Sequence, residues 1–166
     1  ERTFSEKIDQ VALADKEQMP DIDAERKTTA FLIDAAKRGD RAAVEAALEA
    51  GVDPHGPANQ LTALHWAVAQ RLVDGKTVEP SQESAKLLIE AGADVNATDY
   101  LGQTPLEWAA SHASPEIVQM LIKAGANVNA ESRYGSALFA TTAKLQKHGV
   151  ENAKLLIEAG ADVNAG

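Results

Sequence analysis

The stretch AKLLIEAGADVNA occupies Ala85–Ala97 and returns, unchanged over thirteen residues, at Ala153–Ala165. A looser copy, QMLIKAGANVNA, lies between them at Gln119–Ala130. Aligned on the glycine that follows the apolar run, the chain divides into four units. Their glycines are Gly51, Gly92, Gly125 and Gly160, spaced 41, 33 and 35 residues apart. Upstream of each, apolar residues recur at helical intervals: Val44, Ala47 and Leu48; Leu87, Leu88 and Ala91; Val118, Leu121 and Ile122; Leu155, Leu156 and Ala159. The glycine supplies the positive φ that ends a helix. The Asp/Asn-Val-Asn-Ala that follows brings short polar side chains to the turn, where they bond backbone groups.

A second, shorter helix precedes each of these. Thr104-Pro105-Leu106 offers a capping threonine and a proline in the first turn, where its missing N–H costs nothing. Thr62-Ala63-Leu64 and Ser136-Ala137-Leu138 repeat the pattern without the proline. Each unit therefore reads as turn, short helix, loop, longer helix. Helices this short are unstable alone and must be buried against the neighbouring copy, which is the physical reason for repeating the unit. The expected fold is an all-α solenoid of stacked helix-loop-helix units with short β-hairpin-like turns.

These residues resemble the ankyrin repeat, whose pattern is roughly D-x-x-G-x-T-P-L-H-x-A-A followed by a second helix and G-A-D-V-N-A. Asp99-Tyr100-Leu101-Gly102-Gln103-Thr104-Pro105-Leu106-Glu107-Trp108-Ala109-Ala110 carries the resemblance best, with Thr62-Ala63-Leu64-His65-Trp66-Ala67 next. Ser136-Ala137-Leu138-Phe139 is weaker, and Ala30-Phe31-Leu32-Ile33 diverges at the start of the first unit. The resemblance covers residues 28–166, in units of about 28–58, 59–98, 99–131 and 132–166. Residues 1–27 are expected to form an N-terminal capping segment, with a helix over Ser5–Ala14. Thirty residues separate Thr62 from Gly92 against twenty-one from Thr104 to Gly125, so the second unit carries nine more, around Arg71–Pro80. The fourth carries three more near Gln146–Gly149. An inserted loop on a rigid stack is a candidate contact surface.

Composition narrows the function. Hydrophobic residues make up 45% of the chain but aromatics only 4%, so Ala, Leu, Val and Ile build the core and helices approach closely. A net charge of −9 disfavours nucleic acid and anionic membranes as main partners. No apolar run is long enough to span a bilayer, and ERTFSEKIDQ has no signal-peptide core. There is no cysteine, which removes disulfides and thiolate chemistry. A chain opening at Glu1 is expected to have been preceded by something. Together with the missing cysteines, this favours an exported, periplasmic or secreted bacterial protein over a cytoplasmic one.

No active site is visible. His55, His65, His112 and His148 are scattered and lack metal-ligand spacing. The resemblance gives His65 a structural bond to turn backbone, and its counterparts are Ile33, Glu107 and Phe139. Asp53, Asp94 and Asp162 occupy equivalent places in separate units, so they are expected to cap turns rather than converge on a substrate. Neither catalysis nor a cofactor or metal is expected.

What the resemblance implies is binding of another protein through a concave groove built from turn tips and first helices. The matching positions are Tyr100, Leu101 and Gln103 at one tip and Arg133 and Tyr134 at the next. Along the first helices they are Lys37 and Arg38, Ala69 and Gln70, Ser111 and His112, and Ala143 and Lys144. Tyr100 and Tyr134, the two tyrosines, both fall on tips, and interface cores favour tyrosine. Trp66 and Trp108 occupy equivalent places and are expected to pack between units. Lys37, Arg38, Arg71, His112, Arg133, Lys144, Lys147 and His148 fall on or beside first helices and tips, while glutamates populate the second helices, so a locally basic groove is one expectation. Asp34 and Glu107 interrupt that row. A sharper version makes the chain an immunity or inhibitor protein that plugs a partner enzyme. A different class makes it a structural piece of a larger repeat protein, or of a homo-oligomer that self-associates through its C-terminal repeat.

Overall fold

The computed structural model describes residues 28–56, 60–142 and 147–164. The helix expected over Ser5–Ala14, the capping segment 1–27, and Ala143 and Lys144 lie outside the described residues. Four first helices are present: α1 (Thr29–Arg38), α3 (Ala63–Val68), α5 (Pro105–His112) and α7 (Ala137–Ala140). They alternate with four second helices: α2 (Arg41–Glu49), α4 (Gln82–Glu90), α6 (Pro115–Lys123) and α8 (Gly149–Glu158). The first helices pack in the row α1–α3–α5–α7 and the second helices in the row α2–α4–α6–α8, giving two layers. The stacked helix-loop-helix solenoid is the fold expected from the repeat.

The core runs between the layers. Leu32, Leu64 and Leu106, one in each of α1, α3 and α5, are fully buried, as are Val44, Leu88, Leu121 and Leu156 of the second helices. Ala91 and Ala159, expected on the apolar face, are exposed instead, because each is the last residue before the terminating glycine.

Each second helix ends in the same way. Gly92 has φ +92°, its N–H donates to Ile89 O, and the Ala93 N–H donates to Leu88 O, both within 3.0 Å. The same pair of bonds closes α2, α6 and α8. This satisfies carbonyls that the helix leaves open and brings the residue after the glycine back to the buried residue two before the helix end. Val52, Ala93, Ala126 and Ala161, which take that place, are all buried. The repeated E-A-G-A is thus a helix stop with its own hydrophobic clasp.

The Asp/Asn-Val-Asn that follows does two things. Asp53, Asp94, Asn127 and Asp162 each accept from the N–H two residues ahead, as expected of turn caps. The asparagine then reaches forward. Asn96 donates to Gly125 O and accepts from Asn127 N–H, and Asn129 does the same with Gly160 O and Asp162 N–H. A side-chain amide, with one donor end and one acceptor end, can bridge both backbone groups of the next turn. His55 stands in this place in the first unit and bonds its own Asp53 instead.

The first helices start as their caps predict. Thr28, Thr62, Thr104 and Ser136 each accept from the N–H three residues on. In α3 and α5 the third residue, His65 or Glu107, returns a bond to the cap N–H, completing a capping box. α7 is only four residues long, and the Thr141 and Thr142 hydroxyls bond back to Leu138 O and Phe139 O at 2.7 Å. Such local bonding competes with helix propagation.

The inserted segment of the second unit is not a loop. Strands β1 (Arg71–Val73) and β2 (Lys76–Val78) form an antiparallel hairpin with Arg71 opposite Val78. Its turn is Asp74-Gly75, both at positive φ (50° and 75°), the mirror-image turn whose twist suits a two-residue hairpin. Because the hairpin begins so early, α3 stops at Val68, and Ala69 is buried rather than presented on a helix surface. A second hairpin, β3 (Glu131–Ser132) with β4 (Gly135–Ser136), forms the turn tip of the fourth unit.

Candidate partner-binding site

The turn at Asp99–Gln103 is organised by one buried carboxylate. Asp99 Oδ1 accepts from Leu101 N–H at 2.8 Å and Gln103 N–H at 2.9 Å, while Oδ2 accepts from Trp108 Nε1–H at 3.3 Å. Its backbone closes the same turn, with Asp99 N–H to Gln103 O and Gly102 N–H to Asp99 O, both 3.0 Å. The next tip is tied to this one by Arg133 N–H donating to Leu101 O at 3.2 Å. Both tips are therefore rigid and present their tyrosines outward. Tyr100 is 71% and Tyr134 60% exposed.

His65 has the structural role expected of it. It is fully buried, Nδ1 bonds Thr62 at the helix cap, and Nε2 reaches Gln103 O of the next unit at 3.1 Å. Burial holds its pKa below the ordinary value, partly opposed by the bond to Gln103 and the charge of Asp99. Trp66 and Trp108 pack between units at a ring separation of 6.4 Å, tilted by 58°.

A cleft of about 270 Å³ opens between the third and fourth units, lined by Gln103, Glu107, Ser111, Tyr134 and Phe139 together with Ser136, Ala140 and Thr142. It brings together three of the expected contact residues: Gln103, Ser111 and Tyr134. Tyr100, Leu101, His112 and Arg133 do not line it. Tyr100, His112 and Arg133 are exposed nearby in the chain, and Leu101 is half-buried. Five cleft residues were not among those expected: Ser136, Ala140 and Thr142, and the two largest, Glu107 and Phe139. Glu107 and Phe139 stand where the repeat pattern has histidine, and that departure was the available signal.

Glu107 was expected to interrupt an exposed row, yet it is 2% exposed. Burial pushes its pKa up, opposed by hydrogen bonds with Ser132 and Thr104 and reinforced by the charge of Asp99. Phe139, by contrast, is 54% exposed and lies against the backbone of Gly135, where an added Cβ would meet its ring at 3.2 Å.

In the first two units the expected basic row is taken up by internal contacts. Arg71 is half-buried, and its guanidinium donates to Lys37 O (2.6 Å), Trp66 O and Ala69 O (each 2.5 Å), and to Ala36 O. It thus ties the C-terminal ends of α1 and α3 together and anchors the hairpin to both, instead of facing a partner. Arg38 pairs with Asp34 at 3.0 Å, and Lys37 lies 5.3 Å from the centre of the Trp66 ring. Gln70 bonds Glu79 across the hairpin base.

At the far end, Val150, Ile157 and Val163 are exposed. The counterparts of Ile157 and Val163, which are Ile89 and Val95 in the second unit and Ile122 and Val128 in the third, are partly buried and packed on the core. Among the described residues there is no group of three or more His, Cys, Asp or Glu side chains placed to hold a metal, and no helix is long and apolar enough to cross a membrane.

A family model described as ankyrin repeats matches the chain in three copies, over residues 11–99, 32–132 and 81–166. The chain belongs to the ankyrin repeat family. Members of that family generally act by binding other proteins, and their repeat domains are typically non-catalytic. No curated protein matches the chain.

Proposed function

We propose that this chain binds a partner protein through the groove of its third and fourth units, with Tyr100 and Tyr134 as the main anchors and Gln103, Ser111 and Phe139 lining the cleft beside them. Leu101, His112 and Arg133 complete the contact set around it. The observation that carries this is the pair of tyrosines held exposed on two hydrogen-bonded tips, one of them at a cleft. Exposed aromatics on a rigid frame give large contact area at low entropic cost, which is how interface anchors work.

The test is capture of partners from the source cell by wild type and by a Tyr100→Ala, Tyr134→Ala double variant. One protein held by the wild type is expected to be lost, with at least a tenfold drop in affinity, since anchor truncation costs about 2 kcal/mol or more. Equal capture by both proteins would move the interface away from the tips. If the captured partner is an enzyme whose activity stops on binding, the chain acts as an inhibitor, the form an exported immunity protein would take.

A second use is supported by the exposed Ile157 and Val163, whose counterparts in the second and third units are partly buried and packed on the core. Self-association through this face would bury them. Sedimentation is then expected to show a concentration-dependent dimer that Ile157→Asp abolishes. A monomer at every concentration would discard this use.

A further inference from the structure

We infer that the cleft between the third and fourth units takes a cationic side chain, lysine or arginine, from the partner, held between the rings of Tyr134 and Phe139 above the Glu107 carboxylate. This rests on the groove-binding proposal and names the chemistry that the groove selects.

The departure from the repeat pattern is the first argument. In the second unit, His65 caps its helix through Nδ1, and its Nε2–H also donates across to Gln103 O of the next turn. Glu107 keeps only the first task, accepting from Thr104 N–H at 3.4 Å. An ionised carboxylate has no proton for the second. The equivalent carbonyl, Gly135 O, is instead reached by the Ser132 hydroxyl at 3.1 Å. Local consistency is broken here, and such breaks concentrate at functional sites.

Glu107 is also short of compensation. Its partners, Thr104 N–H and the hydroxyls of Thr104 and Ser132, are all neutral, and the single Ser132 proton is contested by Gly135 O. Among the described residues no Lys, Arg or His forms an ion pair with it. The charge of Asp99, of the same sign, disfavours its ionised form further. A buried carboxylate placed this way is costly to ionise, and a cation delivered by a partner relieves that cost.

The walls suit the same guest. Tyr134 and Phe139 expose their rings at the cleft, and aromatic faces attract ammonium and guanidinium groups. At about 270 Å³ the cleft falls just under the size that encloses a drug-sized ligand, the scale of a single long side chain. The overall charge of −9 steers basic partners toward the surface.

Random peptides displayed on phage, selected on the full chain, give the test. Peptides retained by the wild type and lost on the Tyr100→Ala, Tyr134→Ala variant are expected to share one fixed Lys or Arg. Glu107→Gln keeps the cap acceptor and removes the charge, so its thermal stability is expected to equal or exceed that of the wild type. Its affinity for those peptides is expected to fall at least about tenfold. Replacing the shared cation by norleucine is expected to cost a similar factor on the wild type and almost nothing further on Glu107→Gln. Groove-dependent peptides without a shared cation, or with unchanged affinity for Glu107→Gln, would overturn this inference and leave the groove proposal standing. Absence of any groove-dependent peptide would remove both.

Discussion

Asp99→Ala is expected to lower the folding stability by about 3 kcal/mol, more than any other single change on the binding face. The carboxylate takes Leu101 N–H, Gln103 N–H and Trp108 Nε1–H, and it is 2% exposed. Hydrogen bonds to a charged acceptor contribute about 1.5–3 kcal/mol each, but three that share one residue do not add fully. Methyl replacement strands all three donors at once. The effect spreads, because Gln103 O is the acceptor for His65 and Leu101 O the acceptor for Arg133 N–H. Thermal melting is expected to fall by roughly 9 °C for a chain of this size. Asp99→Asn, which keeps one acceptor oxygen, is expected to lie between the two. A melting temperature for Asp99→Ala within a degree of wild type would mean the turn is held by its backbone bonds alone.

Arg71→Ala is expected to cost about 3 kcal/mol as well, for a different reason. Its guanidinium satisfies carbonyls at the ends of two helices, where orphan acceptors and the negative end of the helix dipole coincide. It also lies 5.8 Å from the centre of the Trp66 ring. Arg71→Lys is expected to recover less than half of the loss, because one ammonium cannot span four carbonyls set by a planar fork. The hairpin should detach before the stack melts. Hydrogen exchange at Leu72–Thr77 is therefore expected to rise selectively in Arg71→Ala, with the third and fourth units unchanged. Protection that persists there would show that the hairpin docks through Val78 against Gly39 instead, a contact that is also present.

These two residues also mark where the sequence was informative. Asp99 opened the best match to the repeat pattern, so its turn was visible before its bonds were. Arg71 was read as a surface charge because nothing adjacent in the chain announces that Ala36 and Lys37 end beside it. The hairpin itself had a signal: Asp74-Gly75 between runs containing Val73, Thr77 and Val78. Counting the segment only as surplus length against the repeat missed it. Glu107 was counted as a charge within the basic row, whereas as the third helical position it turns back toward its cap.

Helix stops, N-caps and Asx turns were legible in the chain because each acts within about six residues, where order along the backbone sets who can meet whom. The repeated glycine, the capping threonines and the aspartates after each glycine behave as their local chemistry requires. The cleft, the carbonyl clamp of Arg71 and the forward bridges of Asn96 and Asn129 join residues of different units. Their partners are chosen by how one unit stacks on the next. Only the packed structure brings Tyr134 and Phe139 around Glu107, because burial and proximity are properties of that stack and not of any one unit.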